Sequence, residues 1–374
     1  MMGKGENMRV GILTYHNAIN YGAVLQAYAL QQVVKKLGVE CEIIDYSCPA
    51  VEKQYRRRKI SDHAHWKVYV MDFLSGHRLD RKKEAFEKFC KQNLSLSTKV
   101  DVIVGESLED YDAIIVGSDQ VFNPKNTEGD STYLLDFQCS AKKIAYAASI
   151  GNNEFLELWK TRYNVDYENL LKRFYSLSFR EEDASIFVSN LLKDSYETVL
   201  DPVLLAGFEL WKDFQVDMNE EYIFVYNLGN IPLLVECVQA MHNETGLKVY
   251  AVNKDIKGDF LLRGFENVSS LSPADFLKML SGAKYVITDS FHGTAFSVLY
   301  HKNFSSVINP HKNNTNSRIV NLLKKLQLEE RIVSNAESFQ YQSSIAYSNT
   351  DKIIQELEKH SLAWLSGALQ MKEG

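Results

Sequence analysis

Six consecutive residues, Asp289-Ser290-Phe291-His292-Gly293-Thr294, combine a carboxylate, two hydroxyls, an imidazole and a glycine. An imidazole can deliver or accept a proton near neutral pH, and hydroxyls or bare backbone N–H groups can hold an anion. The run follows the apolar stretch Tyr285-Val286-Ile287-Thr288 and precedes Ala295-Phe296-Ser297-Val298-Leu299-Tyr300. The first stretch reads as a buried parallel strand and the second as the opening of a helix. His292 therefore stands at a strand's carboxyl end and a helix's amino end. Open α/β sheets bind ligands there, and unpaired helix N–H groups favour anions. Gly293 permits close approach by a ligand or backbone, and Thr294 is suited to cap the helix or to donate to an oxyanion. The plainer reading is a core histidine satisfied by a carbonyl; the strand-to-helix setting favours the functional one.

Three other loops carry usable chemistry. Asn17-Ala18-Ile19-Asn20-Tyr21-Gly22-Ala23 offers amides and free N–H groups after a first strand, with Gln26 one helical turn on. Such groups suit hydroxyls or a phosphate oxygen, and they are also ordinary turn formers. His16, just before, reads as structural. In Gly117-Ser118-Asp119-Gln120-Val121-Phe122-Asn123-Pro124, Asp119 lies just past a buried strand, where a carboxylate can take a proton from a sugar hydroxyl. An N-cap or Asx turn needs the same residue type in the same place. Arg180 follows a strand ending at Ser178, beside Glu181, Glu182 and Asp183. It can grip a carboxylate or phosphate with two prongs, or pair with those acids. Lys312 and Arg318 flank a polar loop after the strand at 304–308; they add positive charge to a site or are solvated.

These loops need a scaffold, and hydropathy supplies one. Arg9-Val10-Gly11-Ile12-Leu13, a helix over 22–37 and a strand over 40–45 form a βαβ opening without the glycine spacing of a dinucleotide fingerprint. Residues 51–93 read as a helical, charged insertion containing Arg56-Arg57-Arg58-Lys59, either a solvated face or a rim that attracts an anionic acceptor or an acidic membrane surface. Strands follow at 112–116, 143–147 and 175–178, and Pro202 marks a turn. A second series has strands at 222–226, 248–252, 285–288 and 304–308. Its helices lie at 233–245, at 273–280 with Ser272 as cap, and at 317–326. A last helix spans 351–365. The alternation predicts an α/β chain of two doubly wound Rossmann-like domains facing a central cleft. The expected division is 8–205, then 206–345 carrying His292, then a terminal helix over 346–374 that packs on one domain or crosses back to the first.

Composition narrows the class. The 374 residues suffice for two cores, with 45% hydrophobic and 24% charged residues. A net charge of −6, from 42 basic and 48 acidic residues, argues against general nucleic-acid binding. No apolar run approaches the ~20 residues that span a bilayer, and Met1 to Met8 lack a secretory core. Five cysteines, widely spaced and without Cys-x-x-Cys, indicate neither a disulfide framework nor a zinc site. The expectation is a cytoplasmic protein with no metal or organic cofactor, with room for peripheral contact at the inner membrane face.

In order and combination, several runs resemble the polysaccharide pyruvyl transferase family. They are Asn20-Tyr21-Gly22-Ala23-Val24-Leu25-Gln26-Ala27-Tyr28, Gly117 to Pro124 as above, Ser178-Phe179-Arg180-Glu181, Asp201-Pro202-Val203-Leu204-Leu205, the His292 run and Ser317-Arg318-Ile319. The resemblance spans residues 8–330. It implies a fold like the GT-B glycosyltransferases and transfer of a pyruvyl unit from phosphoenolpyruvate to a nucleotide-linked or lipid-linked sugar. A cyclic ketal forms and phosphate is released. On that reading His292 is the acid, with Asp119 as second catalytic group. Arg180, Ser290, Gly293, Thr294, Lys312 and Arg318 bind the donor; Asn20, Tyr21, Gly22, Gln26, Gln120 and Asn123 bind the acceptor. Family members carry an arginine two positions before this histidine, where this chain has Ser290. Either Lys312, Arg318 or another cation compensates, or the donor differs. The competing functions are a GT-B-type glycosyltransferase using a nucleotide sugar and a non-catalytic glycan-binding relative.

Overall fold

A computed structural model describes residues 8–55, 66–217, 220–309, 313–341 and 344–370. Two compact units emerge. One comprises Met1–Tyr55, Cys90–Ala206 and Gln355–Gly374, the other Arg56–Phe89 and Gly207–Ile354.

The first unit is built on six parallel strands: β1 (Arg9–Leu13), β2 (Glu40–Ile43), β3 (Ala113–Val116), β4 (Lys142–Ala148), β5 (Ser176–Phe179) and β6 (Glu197–Thr198). Their spatial order is β2-β1-β3-β4-β5-β6. β3 is buried at every position, as a strand covered on both faces must be, which explains its unbroken run Ala113-Ile114-Ile115-Val116. Helix α1 (Tyr21–Lys36) joins β1 to β2, and α2 (Pro49–Tyr55) follows. The long α3 (Trp66–Asn93) comes next, and the unit boundary falls inside it. Helix α4 (Glu182–Leu192) follows β5; apolar periodicity had not marked it.

The second unit repeats the plan with β7 (Tyr222–Asn227), β8 (Lys248–Asn253), β9 (Glu266–Asn267), β10 (Tyr285–Thr288), β11 (Asn303–Val307) and β12 (Ile332–Val333), all parallel. The order is β12-β11-β10-β7-β8-β9. Helix α5 (Pro232–Thr245) ends on Gly246, whose φ of 66° is the left-handed cap that glycine takes without strain. Helix α6 (Pro273–Gly282) opens with Ser272 accepting from the Asp275 N–H, as its sequence signature requires. Helices α7 (Phe291–Leu299) and α8 (Asn313–Lys325) follow, and α9 (Tyr347–Ala368) ends the chain's regular structure.

Two segments are divided between the units. Of the stretch 51–93, read as an insertion in the first domain, the described residues 66–89 group with the second unit, and 51–55 and 90–93 with the first. Within that second unit Arg78 of α3 pairs with Asp259, and Lys82 feels the same carboxylate. The basic run 56–59 lies outside the described residues. In α9 the boundary follows Ile354, and the rest belongs to the first unit. There Ser361 Oγ accepts the Leu200 N–H at 2.9 Å, and the Trp364 ring lies 6.0 Å from that of Tyr146.

Candidate active site

In each sheet one pair of neighbouring strands has connections leaving in opposite directions. In the second unit that pair is β7 and β10, in the first β1 and β3. Ligands of open α/β sheets bind beyond the strands' carboxyl ends at such points.

At the second sheet's point, Thr288 Oγ1 donates to Tyr226 O at 2.8 Å and accepts the Ser290 N–H at 3.0 Å, which fixes the turn after β10. Ser290 is the N-cap of α7: its Oγ accepts from Gly293 N at 3.2 Å and its carbonyl from Thr294 N at 2.9 Å. Thr294, expected as cap or oxyanion donor, instead donates to Ser290 O and bonds Ser306 on β11 at 2.7 Å. Gly293 is required by packing rather than by a ligand, since a Cβ there would stand 2.5 Å from Thr288 Oγ1. Ser290, Gly293 and Thr294 thus build the turn. Their work presents His292, buried in the first turn of α7 with its ring edge-on to Phe291.

Asp289 was passed over in the sequence because nothing there reveals its setting. Its carboxylate accepts from Leu228 N at 2.7 Å and Gly229 N at 2.5 Å. Burial pushes it up to about 6 against the pull of those N–H groups and of Lys254, which follows β8. Arg318 lies half-buried on α8, which packs against α7. Lys312 lies outside the described residues.

At the first sheet's point Asn20 caps α1, accepting from Gly22 N at 3.0 Å and Ala23 N at 3.4 Å. It also bonds the phenol of Tyr55, a residue the motif search did not single out and whose hydroxyl feels the Asp119 charge. Tyr21 and Gly22 are buried in the first turn. Gln26 is fully enclosed: its amide donates to Thr14 Oγ1 at 2.8 Å and accepts from Ser118 N at 3.0 Å. It ties the loop after β1 to the loop after β3, so it is scaffold rather than an acceptor contact. Asn123 is likewise enclosed, capping a short helix and donating to Gln120 Oε1 at 2.8 Å. Gly117, at φ 121°, has no room for a Cβ, which would meet Tyr146 O at 2.2 Å. Asp119 takes a left-handed φ of 68°, uncommon for a residue with a Cβ, and its side chain stays 14% exposed. Such a conformation, held by surrounding bonds, is a mark of functional turns. His16 sits with its ring nitrogens 3.0 Å from Asp45 Oδ1 and 3.2 Å from Thr14 O; the imidazole draws the Asp45 carboxyl below its usual range.

Arg180 departs most from expectation. Its guanidinium meets Asp201 at 2.9 Å, Glu181 at 3.0 Å and Asp119 at 3.8 Å, with the side chain 2% exposed. Burial alone would lower its pKa; the three carboxylates outweigh that and raise it. Any further anion would face those acids, so Arg180 is the keystone of an internal ion network, not an open donor clamp.

The sequence profile described as polysaccharide pyruvyl transferase matches residues 20–311, which contain both turns. The chain belongs to the polysaccharide pyruvyl transferase family. Curated protein sequences include no match. Among solved structures, this pyruvyl transferase family member is similar to S. aureus MnaA in complex with UDP, at 11% identity and TM-score 0.48, covering 95% of this chain and 97% of that one. UDP-GlcNAc 2-epimerase from Neisseria meningitidis bound to UDP-GlcNAc aligns at 7% identity and TM-score 0.47, covering 97% and 94%. The glycosyltransferase SnogD from Streptomyces nogalater aligns at 9% identity and TM-score 0.42, covering 97% and 100%. Membership makes the protein a transferase of polysaccharide pyruvylation, with a donor and a sugar-linked acceptor. Among the described residues no helix is long and apolar enough to cross a membrane.

Proposed function

We propose that this transferase moves the pyruvyl group of phosphoenolpyruvate onto hydroxyls of a nucleotide-linked or lipid-linked sugar, a precursor of a cell-surface polysaccharide. The reading rests on His292 standing in the first turn of α7, at the carboxyl end of β10, within the family's matched segment. His292 protonates the donor's methylene carbon, and the adjacent carbon becomes an oxocarbenium-like centre. A sugar hydroxyl attacks that centre and gives up its proton to a base. The bond to the phosphate oxygen then breaks, phosphate leaves, and a second hydroxyl closes the ketal with loss of its own proton. Ser290 cannot supply the family's guanidinium. Positive charge for the donor comes from Lys254, from Arg318 and from the amino end of α7. In the first unit Asp119, which Arg180 holds in place, is suited to take a hydroxyl's proton, and Asn20, Tyr55 and Gln120 are suited to bind sugar hydroxyls.

The test is acceptor-dependent phosphate release from phosphoenolpyruvate. His292→Ala should lower the rate by ~10² or more, and unchanged turnover in that variant would remove the imidazole from the mechanism. A second reading, a nucleotide-sugar donor, draws on the capping serine in place of arginine, which leaves the amino end of α7 without the family's second cation. Calorimetry with phosphoenolpyruvate and with UDP separates the two: heat with UDP alone favours the glycosyltransferase.

A further inference from the structure

Asp289 is a half-buried titratable group that the mechanism above leaves unused. It stands between β10 and the cap Ser290, three residues before His292. Its two oxygens accept the N–H groups of Leu228 and Gly229, at 2.7 and 2.5 Å. Those residues open the loop leaving β7, the strand beside β10 at the switch in chain direction. The fit is close: a Cβ on Gly229 would lie 2.7 Å from Asp289 Oδ2. One carboxylate therefore joins the backbone of one turn to the turn that presents the imidazole.

We propose that ionised Asp289 is a positioning residue, a clasp that holds the loop after β7 against the His292 turn, and that its protonation releases this loop. The effect on catalysis rests on the function proposed above; the clasp itself does not. Only the ionised group offers acceptor lone pairs on both oxygens without a competing hydrogen, so protonation weakens the clasp by removing the charge and setting a hydrogen against one of the two N–H groups. The charged group that acts on it is Lys254, just past β8; the β7 side contributes backbone N–H groups. Burial sets the transition near 6. The clasp is therefore closed above that pH and opens below it. The linkage runs the other way: the folded-state pKa is raised, so Asp289 lowers stability as pH rises through about 6. The fold keeps this carboxylate ionised at neutral pH against its own stability, as expected of a group retained for its effect on a site.

The experiment uses the full chain labelled with nitrogen-15, observed by NMR between about pH 5 and 8. The Leu228 and Gly229 amide signals should share a midpoint near 6, and that titration should vanish in Asp289→Asn. In turnover with phosphoenolpyruvate, the acid-side limb of kcat should have the same midpoint. The limb should disappear in Asp289→Asn, whose kcat falls roughly tenfold with little change in donor KM. Gly229→Ala keeps the carboxyl but sets a methyl 2.7 Å from Oδ2, which parts the carboxylate from the loop, and should reproduce the fall in kcat. Amides that do not titrate, or an acid limb that persists in Asp289→Asn, would overturn the proposal. If the wild-type protein transfers no pyruvyl group, the proposed function fails, and the amide titration still decides the clasp.

Discussion

Removing the Arg180 guanidinium would leave Asp201 and Glu181, both buried, without their shared counter-charge. Breaking a buried ion cluster from one side costs far more than replacing the whole of it. Arg180→Met should therefore lose about 3–5 kcal/mol of stability, read from urea unfolding midpoints. Arg180→Lys should recover only part, because an ammonium cannot serve two carboxylates in fork geometry. A loss confined to donor KM, with normal unfolding, would restore Arg180 as a donor clamp. The sequence made the residue conspicuous but not its task. Glu181 adjoins it, yet Asp201 lies 21 positions on and Asp119 lies 61 before it. Whether a cation greets a ligand or its own protein depends on those distant partners. Asp289 was illegible for the same reason: nothing local announces that its oxygens face the N–H groups of a loop 60 positions earlier.

At the scale of elements, handover points between strand and helix were legible because their signals are contiguous. The apolar run 285–288, the polar turn and the small, buried start of α7 lie within fifteen residues. Within that turn the sequence offered Thr294 as a cap or an oxyanion donor, and the cap is Ser290. Ser290→Ala would leave the Gly293 N–H without its partner in a buried first turn. The expected cost is about 1 kcal/mol, measured as a lower thermal midpoint. His292 should then bind donor less well, since its turn frays. An unchanged midpoint would mean that α7 is held by its packing alone. Short edge strands β6, β9 and β12 escaped notice, since two residues carry no period.

As a whole, the molecule is two parallel-sheet units, and neither is a single stretch of chain. The α/β alternation revealed both sheets; it could not reveal which sheet each long helix serves, because that follows from partners such as Asp259 and Tyr146. Deleting residues 355–370 would strip the first unit of Leu365, fully buried, of the Trp364 ring beside Tyr146 and of the Ser361 hydroxyl bonded to Leu200. The first sheet should then unfold in a separate, earlier transition, seen as lost near-ultraviolet dichroism while the second unit persists. A single transition at the original temperature would show that α9 adds nothing to the first sheet.

Because Tyr146 waits for Trp364, synthesis and folding run out of step. β1 is made long before Trp364, so that strand's own unit lacks a wall until α9 exists. The second unit's last residue, Ile354, is made before the part of α9 that completes the first unit. Chaperones that shield apolar surface would therefore be needed longest by the first unit.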